Sequence, residues 1–91
     1  MPLNPTDVVE RLGSGPWTVS GSAIQRDLAF EDFLAAVAFV NRVAALAEEA
    51  DHHPDLLIHD WNQVRLTLST HSAGGITDAD LALAARIDAL S

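Results

Sequence analysis

Four histidines, His52, His53, His59 and His71, fall within twenty positions of this 91-residue chain, which has no others. Imidazole titrates near pH ~6.5, so one histidine can release a proton while another accepts one close to neutrality. His52 and His53 stand where a long helical pattern breaks at Pro54. His71 ends an alternating stretch just ahead of Ala73-Gly74-Gly75. Element ends let side chains face a cleft without disturbing the core. His59 falls inside an expected strand and takes no role. Glu48 lies four residues before His52, a spacing at which the two can meet as neighbours on one helical face.

Plainer readings exist for each residue. A histidine near a helix end can simply serve the last carbonyls and the helix dipole. Asp80, three positions after Thr77, is accounted for by a capping box, and Trp61 is by default a core or interface aromatic. Three histidines and a carboxylate would also suit zinc or iron. Adjacent His52 and His53, however, lack the spacing that places two ligands on one helical face, and cysteine is absent. No metal is expected. Ser69 and Ser72 flank His71, but without a Gly-x-Ser-x-Gly elbow serine hydrolysis is not expected either.

The elements that must position these residues follow from periodicity and caps. A helix over Pro5–Leu12 is expected, with Asn4 as N-cap, a Leu3/Val8 staple and Gly13 as its stop. Residues 17–19 read as a short strand. Ile24, Leu28 and Phe30 share one parity in a second strand, and Arg26 shares it, so it must reach an edge or an acidic partner. From residue 31 to about 50 the period changes to three and four, with Phe33, Val37, Val40, Ala44 and Ala47 as the apolar stripe. Residues 56–61 and 64–70 read as strands, the latter alternating cleanly. A last helix, capped by Thr77 and stapled by Ile76 and Leu81, is expected to run to about residue 90. The order α-β-β-α-β-β-α implies one two-layer α+β domain over residues 1–91: a four-stranded antiparallel sheet with three helices on one face.

Thirteen acidic residues against five arginines give a formal charge of −8. Such a surface repels nucleic-acid phosphates and anionic membranes, so no direct nucleic-acid or membrane binding is expected. No apolar run approaches the ~20 residues of a membrane span and no leader is recognisable; a soluble, cytoplasmic protein is expected.

The segment Glu48-Glu49-Ala50-Asp51-His52-His53-Pro54 resembles the signature of the pterin-4a-carbinolamine dehydratases. These small α+β enzymes recycle the pterin cofactor of aromatic amino acid hydroxylases. Trp61-Asn62, the strand over 64–68, Ser69-Thr70-His71, Gly75-Ile76-Thr77 and Asp80 follow in the family's order and spacing. Ala23-Ile24, Phe30 and Asp32-Phe33 match upstream. The resemblance spans essentially the whole chain. It implies a site made of Glu48, His52, His53, Pro54, Trp61, His71 and Asp80. Trp61 stands where many members have tyrosine, and the interval from Pro54 is one residue longer than in the animal enzymes; a register shift or bulge in that strand would reposition Trp61.

The implied reaction is loss of water from 4a-hydroxytetrahydropterin, giving the quinonoid dihydropterin. A proton must reach the hydroxyl departing from C4a and another must leave N5. The expectation is that His53 and His71 face C4a, and that His52 takes the N5 proton or orients the ring. Glu48 would fix the His52 tautomer and Trp61 would pack on the pterin face, while Asp80 supports or only caps. Which histidine is acid and which base stays open. No metal, nucleotide or organic cofactor is implied. The family also suggests a homodimer, formed by sheet extension, or a homotetramer. A second reading is a protein-binding role: an animal member serves as a dimerisation cofactor for a homeodomain transcription factor, and relatives that lost site residues act in assembly. The full set of residues here favours the enzyme.

Overall fold

In the computed structural model, which describes residues 1–90, α1 (Pro5–Leu12) leads into β1 (Thr18–Ser20) and β2 (Ala23–Ala29). The long α2 (Phe33–Ala50) follows, then β3 (Asp55–His59), β4 (Gln63–Leu68), a short 3-10 turn over His71–Ala73, and α3 (Asp78–Asp88). The strands form one antiparallel four-stranded sheet in the order β1-β2-β4-β3. The expected α+β order is therefore the observed one.

Alternation along β4 decides which face is covered. Val64, Leu66 and Leu68 are fully buried, while Gln63, Arg65 and Thr67 between them point the other way. The register carries this across the sheet. Ile24 stands opposite Leu68, Leu28 opposite Val64, and Leu56 and Ile58 opposite Leu66 and Val64. This apolar face meets Val8 of α1, Phe39 and Val43 of α2, and Leu83 and Ile87 of α3 in one core. The opposite face carries Gln25, Asp27, Arg65 and Thr67, so one layer of helices suffices. Leu66 sits on a central strand at the middle of this core. Leu66→Ala is expected to destabilise the fold by about 2–5 kcal/mol, read as a lower urea midpoint at unchanged m-value.

Three sequence expectations need correction. The first concerns the face of α2. Its buried residues are Ala36, Phe39, Val43 and Ala47, whereas Phe33 is 52% exposed and Val37, Val40 and Ala44 are only half-buried. The helix is apolar on most sides, so a three-and-four spacing does not select one stripe. Tertiary contact does, as in the packing of the Phe39 ring on Phe30 at 5.0 Å between centroids. Asp32 caps the helix by accepting from the Ala35 N–H, which leaves Phe33 in the first turn.

The second correction concerns residues 56–61. The strand stops at His59, and Asp60 and Trp61 both adopt left-handed backbone, with φ of 47° and 56°. The β3–β4 register runs without interruption from Asp55–Thr67 to His59–Gln63. The strand before Trp61 therefore contains no bulge, and the chain turns at Asp60 and Trp61. Asn62 holds that turn: its carbonyl accepts from Phe30 N–H at 2.9 Å, and its side-chain amide donates to Phe30 O at 2.8 Å. Third, β4 ends at Leu68, so His71 opens a 3-10 turn and does not close the strand.

Charged residues on the sheet find partners by register. Arg26, on the apolar face, donates to Asp88 at 2.6 Å, and the Trp17 indole N–H reaches the same carboxylate oxygen at 2.8 Å. The end of α3 is thereby fastened to β2. On the open face Arg65 grips Asp27 through two hydrogen bonds of 2.8 and 3.3 Å. The hydrogen bond from Arg65 holds the Asp27 carboxyl below its ordinary 3.8; slight desolvation opposes this, while the charges of Arg65 and His59 add to it. Because the folded-state value is depressed, the pair's contribution is present above the unfolded value and disappears as pH falls through the folded one. Both groups are largely exposed, so the contribution is small. An NMR titration is expected to place the Asp27 midpoint below 3.8 and to see it rise in Arg65→Ala.

Candidate acid–base site

The end of α2 sets the geometry of His52 and His53. Asp51 adopts the left-handed conformation (φ 50°, ψ 44°), which aspartate tolerates better than most residues. The His52 N–H then closes the helix on Ala47 O at 3.0 Å, a Schellman-type stop. Pro54, half-buried, disfavours helical backbone at His53 and starts the chain toward β3. The two adjacent side chains consequently leave the helix end toward different carboxylates.

His52 turns inward. Its Nε2 lies 2.5 Å from Oδ1 of Asp80, with 16% of the histidine side chain exposed and none of the aspartate. Asp80 sits in the first turn of α3, where the helix dipole favours negative charge. Its second oxygen, Oδ2, accepts from the Thr77 N–H and the Thr70 hydroxyl, both at 2.9 Å. Thr70 Oγ1 and Thr77 Oγ1 are themselves 2.8 Å apart. An ionised carboxylate only accepts, so the proton in the short contact belongs to His52 Nε2. In neutral His52 the lone pair is then on Nδ1, which has no protein partner among the described residues.

His53 turns outward over the last turn of α2, where Nε2 lies 2.5 Å from Glu48 Oε2. Both groups are exposed. The same reasoning gives an Nε2–H tautomer with Nδ1 available. The expected pairing of Glu48 with His52 is therefore corrected: Glu48 serves His53, and Asp80 serves His52. Four-residue spacing suggested the first pairing, but His52 already lies beyond the left-handed residue and no longer shares a face with Glu48. Asp80 caps Thr77, as expected, and also orients a histidine 28 residues away. Nothing in the local sequence signals that second duty.

His71 is exposed on the turn that begins directly after Thr70. Asp55 pairs with Thr67, so the Pro54 end of β3 and the chain leading to His71 lie at one end of the hairpin. Trp61 is at the other. Five strand residues at ~3.3 Å each separate the two ends by about 17 Å, and Trp61 is 60% exposed there. Within one chain, then, the fold gathers His52, His53, Pro54, Glu48, Asp80 and the His71 turn, and leaves Trp61 apart. His59 shares the Trp61 end and hydrogen-bonds with Asp60 at 3.0 Å. Thr70 and Thr77 both bond to the Asp80 carboxylate; sequence gives Thr77 only its capping role and Thr70 none, and the run Ser69-Thr70-His71 is the available signal.

Two clefts of about 270 Å³ lie elsewhere, one between α1 and α3 beside Trp17 and Asp88, the other among Pro2, Val19, Gly75 and Ile76. Among the described residues no cluster of three or more His, Asp or Glu side chains could hold a metal ion, and no helix is long and apolar enough to cross a membrane.

The two-layer α+β scaffold thus pairs two imidazoles with carboxylates, each leaving one ring nitrogen open. The chain belongs to the pterin 4 alpha carbinolamine dehydratase family, which it matches over residues 1–90. It is 53% identical over 89 residues to a protein of Acidobacterium capsulatum whose name places it in that family, covering 97% of this chain and 96% of the relative. A Chloroflexus aurantiacus relative of the same description is 48% identical, over 94% and 92% of the two chains. Among solved structures, a transcriptional coactivator/pterin dehydratase from Brucella melitensis superposes with a TM-score of 0.85 at 35% identity, over 98% of this chain and 97% of that one. A pterin dehydratase-like RuBisCO assembly factor of the α-carboxysome superposes at 0.64 with 31% identity, over 81% and 84%.

Proposed function

We propose that this protein catalyses the dehydration of 4a-hydroxytetrahydropterin to quinonoid dihydropterin and water by histidine acid–base chemistry. The observation that carries the reading is the His52–Asp80 pair: a buried carboxylate holds one tautomer of a histidine whose other ring nitrogen is free. His52 Nδ1 removes the proton from N5. The N5 electron pair forms the new double bond to C4a, and the C4a–O bond breaks. The departing oxygen takes its proton from His53 or His71, the two exposed imidazoles at the same end of the sheet, and leaves as water. Protons balance, one lost from nitrogen and one gained by oxygen, so no redox partner enters. General acid–base assistance of this kind is worth about 10²–10⁴-fold per positioned group.

Glu48 holds the His53 ring, and Pro54 sets the backbone between helix and strand. The reading places the protein in the cytoplasm, in recycling of a tetrahydrobiopterin-type cofactor downstream of an aromatic amino acid hydroxylase. The open edges of β1 and β3, with Phe33 and Leu34 exposed on α2, support a homodimer or homotetramer. Stacking of Trp61 on the pterin has no support within one chain.

A protein-binding role of the same fold is the second reading, and the likeness to an assembly factor favours it. The closer superposition on the coactivator/pterin dehydratase and the intact histidine–carboxylate pairs favour catalysis. The two separate in one assay. Substoichiometric protein is expected to accelerate the decay of 4a-hydroxytetrahydropterin above its spontaneous rate; an unchanged decay would overturn the enzymatic reading.

A further inference from the structure

We infer that Thr70 is a positioning residue that ties the two histidine-bearing segments together, its side chain setting His52 through Asp80 and its backbone setting the turn that presents His71. The inference rests on the acid–base reading above for its kinetic consequence, but not for its structural one.

Counting protons fixes the direction of the hydrogen-bond chain. Asp80 Oδ2 offers only lone pairs, so the Thr70 hydroxyl donates to it at 2.9 Å. A hydroxyl has one proton, so in the 2.8 Å contact with Thr77 Oγ1 Thr70 can only accept, and Thr77 donates. The sequence of donors runs from Thr77 Oγ1 to Thr70 Oγ1 to Asp80 Oδ2, while Asp80 Oδ1 remains for His52 Nε2. With the Thr77 N–H also on Oδ2, one carboxylate oxygen is saturated and the other is directed at the imidazole. Thr70 thus does more than fill a lone pair: it holds the carboxylate rotation in which a single oxygen faces His52.

The Thr70 backbone performs the other half. Its N–H donates to Gly75 O at 2.8 Å, and its carbonyl accepts from the N–H groups of Ala73, Gly74 and Gly75 at 3.0, 3.0 and 3.3 Å. These bonds close the loop of residues 71–74, with Gly74 in the left-handed region at φ 75°. His71 is the first residue of that loop. Displacing Thr70 would therefore disturb the seat of His71 and the tautomer of His52 together, although Thr70 itself bonds to neither ring.

Thr70→Val keeps the shape and removes the hydroxyl; Thr70→Ser keeps the hydroxyl. In ¹⁵N-histidine-labelled protein, wild type and Thr70→Ser are expected to show His52 with the proton on Nε2. Thr70→Val is expected to show a mixture of tautomers at His52 and no change at His59. In the dehydration assay Thr70→Val should lose about tenfold or more in kcat, as expected for a lost hydrogen bond to a charged group, with KM changed less than twofold. Thr70→Ser should recover most of kcat. An unchanged His52 tautomer in Thr70→Val would overturn the inference whatever the activity. A wild-type protein without dehydratase activity, yet with a tautomer that shifts in Thr70→Val, would overturn the proposed function and leave the coupling standing.

Discussion

Replacing His52 and His53 together with alanine is expected to lower kcat/KM for carbinolamine dehydration by about 10²–10⁴-fold or more, since each loss removes a positioned acid or base. His52→Ala alone should account for most of it. Its Nδ1 is the nitrogen left open by a buried partner, whereas His53 is exposed and shares its end of the sheet with His71. The double variant should still fold. His53 contributes little to the core, and the loss at position 52 leaves one oxygen of Asp80 without its donor, at a cost of about 1–3 kcal/mol. Circular dichroism and a urea midpoint separate that cost from the catalytic one. Catalysis unchanged in the folded double variant would refute the assignment of the chemistry to these histidines.

Asp80→Asn is expected to be nearly as severe in rate while changing only one atom. Asparagine has a single side-chain acceptor, and two donors, the Thr77 N–H and the Thr70 hydroxyl, already converge on Oδ2. The amide oxygen therefore stays with them, and the amide nitrogen faces His52. To accept from it, His52 must carry its proton on Nδ1, where it cannot take a proton from substrate. A loss of about 10²–10⁴-fold in kcat is expected, the scale seen when a serine-protease triad aspartate becomes asparagine. The readout particular to this explanation is the ¹⁵N pattern of His52, which should invert in Asp80→Asn. A surviving Nε2–H tautomer with full activity would show that Asp80 acts as a helix cap and nothing more.

What could be read from the sequence divides along a physical line. Features that depend on near neighbours were legible: the caps at Asn4 and Thr77, the alternation of residues 64–68, the break at Pro54, and the need of Arg26 for an edge or an acidic partner. Each is decided within a few residues or by parity. The strand ending before Trp61 was not legible, because two consecutive left-handed residues, the second a bulky tryptophan, carry no composition signal. The buried face of α2 was misplaced for a different reason: a helix apolar on most sides leaves the choice of face to the sheet.

The site shows the same division. The histidines could be singled out by type and by position at element ends, and the family's motif supplied their companions. Pairing could not be read in this way. Glu48 was matched to His52 by helical spacing, yet one left-handed residue at position 51 sends His52 to α3 and leaves Glu48 to His53. The carboxylate that matters most to His52 comes from the third helix, 28 residues away, and is held by Thr70, 10 residues before it. Long-range polar contacts of this kind leave no periodicity behind.

A structure of the protein with a bound dihydropterin tests the central claim most directly. The account predicts the ring at the helix-break end of the sheet, with N5 within about 3.2 Å of His52 Nδ1 and C4a facing His53 or His71. A pterin seated instead in the cleft beside Trp17 and Asp88, with all three imidazoles out of reach, would contradict it.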